Sequence, residues 1–259
     1  RLAQALGKAK SQQGRRIAWG EGDAMPPGRS LARLEADLLG ALDRDEIAVL
    51  FQPQFGLPED RLTGAEALAR WNHPALGRIG AGALFALAER TDQMAPLSRH
   101  IAARALEIAR DWPDELRLSL NVTPADLASP GYAGQMLDLV RDSGFAPHRL
   151  TLEITEQSLL WDVQHAAALM ADLAAQGIRI ALDDFGAGFC NFRYLKVLPI
   201  HYLKLDRTMV DGIVSDKRDL AVLRAIVAMA RALDIQVIAE GVESEAQRAR
   251  IASEGCAFY

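Results

Sequence analysis

The feature of the sequence that most limits its fold is a regular alternation of short apolar runs with longer amphipathic stretches. Seven runs have the length of β-strands, and several are nearly continuous in Leu, Ile and Val, as strands buried on both faces are. Stretches with helical spacing lie between them, for example 95–110, 166–176, 220–233 and 245–254. This order predicts an α/β protein with a mostly parallel sheet. The predicted strands are Ile47–Gln52, Leu62–Leu68, Leu116–Asn121, Leu150–Ile154, Ile178–Asp183, Tyr202–Leu205 and Ile235–Glu240.

Polar residues lie at or near the ends of six consecutive predicted strands. A polar residue at the end of a single strand says little about function. Polar residues at the ends of six successive strands indicate a shared functional role. In a (β/α)₈ barrel the carboxyl ends of all strands meet at the face that carries active sites, whereas a doubly wound sheet joins only the strands at its switch point. The pattern therefore favours a barrel. The residues are Glu66, Asn121, Glu153, Asp183, Asp184, Lys204, Asp206 and Glu240.

Five carboxylates of this set would crowd one barrel mouth, and so many cannot all stay ionised without cations. They are Glu66, Glu153, Asp183, Asp184 and Glu240. Oxygen ligands without His or Cys select Mg²⁺, Mn²⁺ or Ca²⁺ rather than zinc. The set is too large for one Mg²⁺, which indicates two ions of the kind that serve in-line displacement at phosphorus. Lys204 would orient or deprotonate a metal-bound water, or offset the charge of a phosphate.

The composition excludes several other classes of protein. The 259 residues are 50% hydrophobic and 24% charged, which is typical of a folded globular chain and excludes disorder. A net charge of −5 argues against non-specific binding to a nucleic acid polymer. Cys190 and Cys256 cannot form a disulfide framework, and no apolar run approaches the roughly 20 residues of a membrane span. We expect a cytoplasmic domain, although an upstream segment could anchor the full-length protein to a membrane.

The segment GAEALARW at 64–71 resembles the signature of EAL domains, the bacterial phosphodiesterases that linearise the second messenger cyclic di-GMP. Other segments are similar to family motifs and follow in family order. Together they cover the chain from about residue 30 to its end. They are FQPQ at 51–54, LSLNVTP at 118–124, LEITE at 152–156, LDDFGAG at 182–188, YLKLD at 202–206 and IAEGVE at 238–243.

The resemblance implies a fold, a reaction and two metal ions, Mg²⁺ or Mn²⁺. The fold is a TIM-like (β/α)₈ barrel with an antiparallel first strand, and the reaction is hydrolysis of cyclic di-GMP to linear pGpG. Asp183 would bridge the two ions, and Lys204 matches the lysine beside the nucleophilic water. The resemblance implies that one ion is held by Glu66, Asn121, Glu153 and Asp183, and the other by Asp183, Asp184 and Glu240.

Further positions match family residues that contact substrate or support the site. Glu156 matches a glutamate that orders the loop after Asp184 and couples it to a dimer interface, so we expect a homodimer. The predicted helix after Gly188 carries three aromatic residues that would face the partner or, alternatively, pack within the barrel. They are Phe189, Phe192 and Tyr194. The positions that match dinucleotide contacts are Gln52, Leu68, Arg70 and Asp206.

The chain departs from the family pattern in the metal-site loop, at Ala81 and Asp92 outside the metal site, and at its end. Ala187 stands where Thr is usual, and Cys190 lies in a triplet that is commonly Tyr-Ser-Ser, so the hydrogen bonds of the metal-site loop would differ. The family continues beyond the segment that ends at Tyr259, so we expect a barrel truncated in its eighth unit. The predicted domains are 29–259, the EAL domain, and 1–28, a linker or the end of an upstream GGDEF-like domain.

Two alternative functions remain open at this point. One is a non-catalytic cyclic di-GMP receptor, which would be indicated by loss of ligands, and the motifs up to Tyr259 keep all of them. The other is a Mg²⁺-dependent barrel enzyme of different chemistry, such as one that stabilises an enolate. The order of the motifs argues against this second alternative.

Overall fold

The computed structural model describes residues 31–159, 162–187 and 192–259. The predicted linker at 1–28 lies outside the described residues. The helices are α1 (Leu31–Leu39), α2 (Ala81–Arg90), α3 (Met94–Ala109), α4 (Pro124–Ala128), α5 (Tyr132–Ser143), α6 (Val163–Ala175), α7 (Tyr194–Val197), α8 (Lys217–Ala232) and α9 (Glu245–Glu254). The strands are β1 (Ile47–Gly56), β2 (Arg61–His73), β3 (Gly77–Ile79), β4 (Arg117–Asn121), β5 (Leu150–Thr155), β6 (Arg179–Phe185), β7 (Tyr202–Leu205) and β8 (Gln236–Ala239).

Each of the seven predicted strands is present, and Tyr202–Leu205 has the predicted bounds. The largest difference is in β2, which continues to His73, so that Glu66 lies in the middle of this strand. The extension arises because β3 pairs antiparallel with the last residues of β2. Strand β3 and helices α2, α4 and α5 were not among the predicted elements.

The chain divides into two compact units. The first contains residues 31–50 and 68–104, and the second contains 51–67 and the described residues from 105 to 259. The core of the first unit joins the apolar face of α1, through Leu34 and Leu38, to the buried Trp71 of β2. In the same unit the ring of His73 is buried, and its Nε2 lies 3.2 Å from Asp37 Oδ2, so this histidine is a packing residue.

The sheet follows the order β1-β2-β4-β5-β6-β7-β8, with β3 paired to β2. From β2 through β4 to β8, neighbouring strands run parallel. A connection of four residues, 57–60, joins β1 to its neighbour β2, so the first strand runs antiparallel. The predicted α/β class and the antiparallel first strand are confirmed.

Hydrogen bonds join the two edges of this sheet in the second unit through residues 257–259. Phe258 bridges in parallel to Ile238 of β8 and antiparallel to Gly56 of β1. Phe55 and Tyr259 exchange backbone hydrogen bonds of 2.8 and 2.9 Å. The last three residues therefore take the position of an eighth barrel strand, and the interior face of the sheet is enclosed.

No helix among the described residues is long and apolar enough to cross a lipid bilayer. Cys256 is a buried free thiol, and Cys190 lies outside the described residues.

The backbones of β2 and β4 approach each other closely at Gly64. A Cβ atom at this position would lie 2.6 Å from the carbonyl oxygen of Arg117, closer than any normal contact. We expect Gly64→Ala to lower the free energy of unfolding by about 1–3 kcal/mol, because the two strands must separate. Denaturant titration at constant slope measures the change.

The matched control for this substitution is Gly134→Ala. Gly134 lies inside α5, and a Cβ there would have no neighbour within 4 Å. Alanine at this position should stabilise the protein by about 0.4–1 kcal/mol through helix propensity and reduced chain entropy. Equal effects of the two substitutions would contradict the close approach at Gly64.

Candidate metal and active site

The structure brings the polar residues at the strand ends into one layer of the second unit. Glu66 comes from β2, Glu153 from β5, Asp183 from β6 and Lys204 from β7. Glu240 follows β8 directly. Parallel strands at the same height present these side chains on the interior face, because alternate residues of a strand share a face. We call these residues, with Asn121 and Asp184, the carboxylate layer.

The ammonium group of Lys204 is the centre of this layer. Its side chain is 1% exposed, and Nζ lies 3.2 Å from Glu66 Oε2, 3.1 Å from Asp183 Oδ1 and 2.8 Å from Glu240 Oε1. Nζ also contacts Oε2 of Glu153, which is fully buried. One positive charge therefore contacts four carboxylates, three within β2, β5 and β6 and one directly after β8.

Hydrogen bonds fix two further members of the layer. Asn121 donates from Nδ2 to Glu66 Oε1 over 2.7 Å, so its amide oxygen remains directed elsewhere. The backbone N–H of Asp184 donates to Asp183 Oδ1 over 2.9 Å. Asp184 has φ of 55°, a left-handed conformation that few residues other than Gly, Asn and Asp adopt. Consecutive residues of a regular strand face opposite sides, yet carboxylate oxygens of Asp183 and Asp184 lie within 4.8 Å of each other.

The carboxylate pKa values are shifted in the direction expected for crowded anions. Burial, and then the charges of Glu66 and Asp183, raise the pKa of Glu153 to about 8 against the attraction of Lys204. Burial and then Asp183 raise the pKa of Glu240. Burial alone would lower the pKa of Lys204, but the surrounding carboxylates raise it well above its ordinary value. Lys204 is therefore a permanent cation in this layer.

The donor set fits hard divalent cations. Among the described residues, Asp183, Asp184 and Glu240 each offer a carboxylate oxygen, and these oxygens lie within 4.8 Å of one another. Burial, followed by the charges of Asp183 and Asp206, raises the pKa of Asp184. In addition, Oε1 of Glu153 is buried and has no hydrogen-bond partner among the described residues. Unpaired buried oxygens and repelling carboxylates are both relieved by a cation.

The residues that match substrate contacts lie in several elements. Gln52 is exposed on β1, and Asp206 begins the turn after β7, where its carboxylate accepts a hydrogen bond of 2.9 Å from Thr208 N. In the first unit, Leu68 and Arg70 are half-buried on β2, and Arg70 Nη1 donates to the carbonyl of Ala69 over 2.8 Å.

Glu156 lies in a short 3₁₀ turn, Glu156–Leu159, that follows β5 directly. This turn packs against β6, the strand that carries Asp183 and Asp184. Glu156 itself is buried. Its position beside β6 agrees with a role in supporting the loop that follows this strand.

The aromatic residues after the loop are divided between the interior and the surface. Tyr194 is buried, whereas Phe192 is 54% exposed and its ring centroid lies 6.1 Å from that of Phe185. Phe189 and Cys190 lie outside the described residues, and Ala187 is exposed. Of the three aromatics predicted to face a partner, Phe192 is the one on the described surface.

The sequence analysis did not predict the contacts that support the turn after Glu240. Gly241, which follows Glu240, has φ of 69°, and a Cβ there would lie 2.5 Å from Cγ of Arg207. The guanidinium of Arg207 lies 2.9 Å from Glu243 Oε1, so it links the loops after β7 and β8. A Glu-Gly pair at the end of a predicted strand was the available signal for a tight turn at this position.

The charge arrangement predicts the effect of Lys204→Met on the metal-free protein. Removing one partner of a buried ionic cluster leaves the others uncompensated, at a cost of about 3–5 kcal/mol. We expect a loss of this size in chelator. The loss should be larger at pH 8 than at pH 5, since protonated carboxyls need no counter-ion. Addition of Mg²⁺ should restore part of the stability.

Denaturant titration of both proteins, with chelator and with Mg²⁺, measures these changes. The control is Lys217→Met, because Lys217 is exposed at the start of α8 and should change stability by less than about 0.5 kcal/mol. A pH-independent loss for Lys204→Met would contradict the counter-ion role.

Comparison with known proteins gives consistent matches. The sequence profile of the EAL domain matches residues 35–259. A curated relative, the bifunctional diguanylate cyclase/cyclic di-GMP phosphodiesterase MucR of Pseudomonas aeruginosa, is 33% identical over 224 residues, which cover 85% of this chain and 33% of MucR. The signalling protein YkoW of Bacillus subtilis is 33% identical over 225 residues, 86% of this chain and 28% of YkoW. The chain spans about a third of the length of these relatives.

Solved structures of EAL proteins have the same fold. The MucR phosphodiesterase in complex with cyclic di-GMP superposes with a TM-score of 0.81 at 33% identity, over 87% of this chain and 93% of that one. The EAL enzyme Bd1971, with cAMP and cyclic di-GMP bound, gives a TM-score of 0.82 at 29% identity, over 88% and 64% of the two chains. The predicted TIM-like α/β barrel is thereby confirmed, and the chain belongs to the EAL domain family.

Proposed function

We propose that this chain is a metal-dependent phosphodiesterase that hydrolyses cyclic di-GMP to linear pGpG in bacterial second-messenger signalling. The observation that carries the proposal is the carboxylate layer, in which four carboxylates surround one buried ammonium. The similarity to MucR, a relative named for cyclic di-GMP phosphodiesterase activity, supports the substrate. In the reaction a water oxygen bonds to phosphorus, and the P–O bond to the 3′ oxygen breaks.

Two divalent cations, Mg²⁺ or Mn²⁺, would be held by the residues of this layer. Glu66, Asn121, Glu153 and Asp183 would hold one ion, and Asp183, Asp184 and Glu240 the other. When bound, such ions polarise the phosphoryl oxygens and lower the pKa of a water molecule. The unpaired Oε1 of Glu153 and the repulsion within the layer support this assignment.

Lys204 would act as a donor and a positive charge rather than as a base. Its carboxylate neighbours hold its pKa well above the ordinary value, so it keeps its proton. The proton of the attacking water therefore passes to a carboxylate or to solvent. The ammonium then orients the water and stabilises negative charge that develops on the phosphate.

Gln52, Leu68, Arg70 and Asp206 would contact the dinucleotide. Arg70 suits a phosphate, because a guanidinium can donate two parallel hydrogen bonds to phosphate oxygens. The structures of MucR and Bd1971 with cyclic di-GMP support a dinucleotide as the ligand of this fold. A non-catalytic receptor for cyclic di-GMP is the second candidate function.

The wider context of the chain is also proposed. The name of MucR supports an upstream GGDEF-like domain in the full protein, with which residues 1–28 would be continuous, while 29–259 form the EAL domain. We propose a homodimer in which Phe192 contributes to the interface, and a cytoplasmic location for the domain.

The first experiment is incubation with cyclic di-GMP and chromatography of the product. We expect pGpG with Mg²⁺ or Mn²⁺, and inhibition by Ca²⁺ because its coordination is longer and looser. Glu66→Ala and Asp183→Ala should lower turnover about a thousandfold or more, since each removes a ligand from the cations that stabilise the transition state.

The control variant is Asp172→Ala, which removes an exposed carboxylate from α6 and should leave turnover unchanged. Binding of cyclic di-GMP without any product, in Mg²⁺ and Mn²⁺ alike, would favour the receptor. Full hydrolysis in excess chelator would overturn the metal-dependent mechanism.

A second experiment concerns Glu156. Because its turn packs against β6, Glu156→Ala should weaken divalent binding and lower turnover by about 10–100-fold without removing a ligand. Calorimetric titration with Mg²⁺ and a turnover assay measure the two effects. Sedimentation of the wild type and of this variant reports their oligomeric states. Unimpaired activity together with a monomeric wild-type protein would remove both the support role and the dimer.

A further inference from the structure

A small cavity lies inside the closed sheet of the second unit, below the carboxylate layer. Its volume is about 20 Å³, which is room for one occupant of the size of a water molecule. Two apolar side chains contribute to its wall, and the rest of the lining is polar. The polar lining residues are Gln54, Thr63, Arg117, Ser119, Thr151 and Tyr202.

The position of the cavity follows from the strand periodicity. Ser119, Thr151 and Tyr202 precede Asn121, Glu153 and Lys204 by two residues on β4, β5 and β7. Alternate residues of a strand share a face, so the cavity lies about 7 Å from the carboxylate layer, toward the amino ends of the strands.

Arg117 gives the cavity a positive charge. One of its guanidinium nitrogens, Nη1, donates to the hydroxyl of Tyr202, and Cζ lies 5.8 Å from the centre of that ring. No carboxylate among the described residues forms an ion pair with Arg117. Since Tyr202 accepts this hydrogen bond, its own proton is available for a further acceptor.

Two more donors face the cavity. Ser119 and Thr151 are buried and line the cavity, each with a hydroxyl group that can donate a hydrogen bond. Buried hydroxyls are rarely left unpaired. A guanidinium and three hydroxyl donors around one small space therefore call for an acceptor, and the charge of the guanidinium favours an anion over water.

We propose that this cavity binds a small monovalent anion of the halide type, such as chloride. The inference rests on the proposed function in one respect, because the carboxylate layer would repel an anion unless its charge is neutralised. The layer has five carboxylates and one ammonium, a charge of −5 + 1 = −4 when all are ionised. Two divalent cations bring it to zero and leave the charge of Arg117 for the anion to balance.

The anion and the divalent cations are therefore coupled. In the metal-free protein, Arg117 offsets part of the carboxylate charge, and the anion is bound weakly. In the loaded protein the anion balances Arg117, and by linkage its binding strengthens that of the cations by the same factor.

The experiment compares sodium chloride with sodium gluconate at constant ionic strength, with saturating Mg²⁺, in thermal melts of the wild type and of Arg117→Met. Chloride at ten times its dissociation constant should raise the Tm of the wild type by about 3–6 °C. Arg117→Met keeps an unbranched apolar stem without the charge and should show no difference between the salts. Arg117→Lys should retain the response.

A second measurement needs no variant. Crystals grown in bromide with Mg²⁺ should show an anomalous peak between Arg117 and the hydroxyls of Ser119 and Thr151. The absence of this peak, or equal Tm values for the wild type in chloride and gluconate, would mean that the cavity holds water and would overturn the proposal. An equal rise in Tm with chloride in the wild type and in Arg117→Met would also overturn the proposal.

Failure of this proposal and failure of the proposed function are distinguishable. Chloride-dependent stability without hydrolysis of cyclic di-GMP would retain the anion site and reject the phosphodiesterase. Hydrolysis of cyclic di-GMP with no effect of chloride on stability or on Mg²⁺ affinity would retain the phosphodiesterase and reject the anion site.

Discussion

The contact of one ammonium with four carboxylates is the interaction on which the rest of the structure depends. Lys204 is almost fully buried, and each of its carboxylate partners comes from a different strand or strand end. Carboxylates packed so closely repel one another and lose hydration, so their ionised forms need a cation at the centre. The positions of neighbouring strands along one another must therefore be fixed to within the length of a hydrogen bond.

Strand register supplies that accuracy. Asn121 pairs with Glu153, whereas Glu66 pairs with Ser119, which precedes Asn121 by two residues on the same face of β4. A slip by one residue would turn Glu153 out of the interior, because side chains alternate between the two faces. Gly64 allows β2 to approach β4 closely enough for this register. The site and the sheet are thus specified by the same contacts.

Much of this arrangement was predictable from local patterns. Apolar runs that end in polar residues gave the seven strands and brought the carboxylates to one end of a parallel sheet. The antiparallel first strand required the family resemblance, and the closure by residues 257–259 depends on pairing across about two hundred residues of sequence. The conformational preferences of neighbouring residues cannot predict a contact between residues so far apart in the sequence. The left-handed turn at Asp184 and the stacking of Arg207 over Gly241 likewise arise from tertiary packing.

The balance of charge also bears on the choice between an enzyme and a receptor. Cyclic di-GMP carries two phosphodiester charges, and the layer, whose charge is −4 when all five carboxylates are ionised, would oppose its binding. A protein that only retained the dinucleotide would bind it more tightly with neutral or basic residues in place of Glu153, Asp183 and Glu240. Buried carboxylates with raised pKa values are costly to keep, as Glu153 illustrates. Their cost is offset when cations bind among them and act on the phosphate, which is the condition that hydrolysis requires.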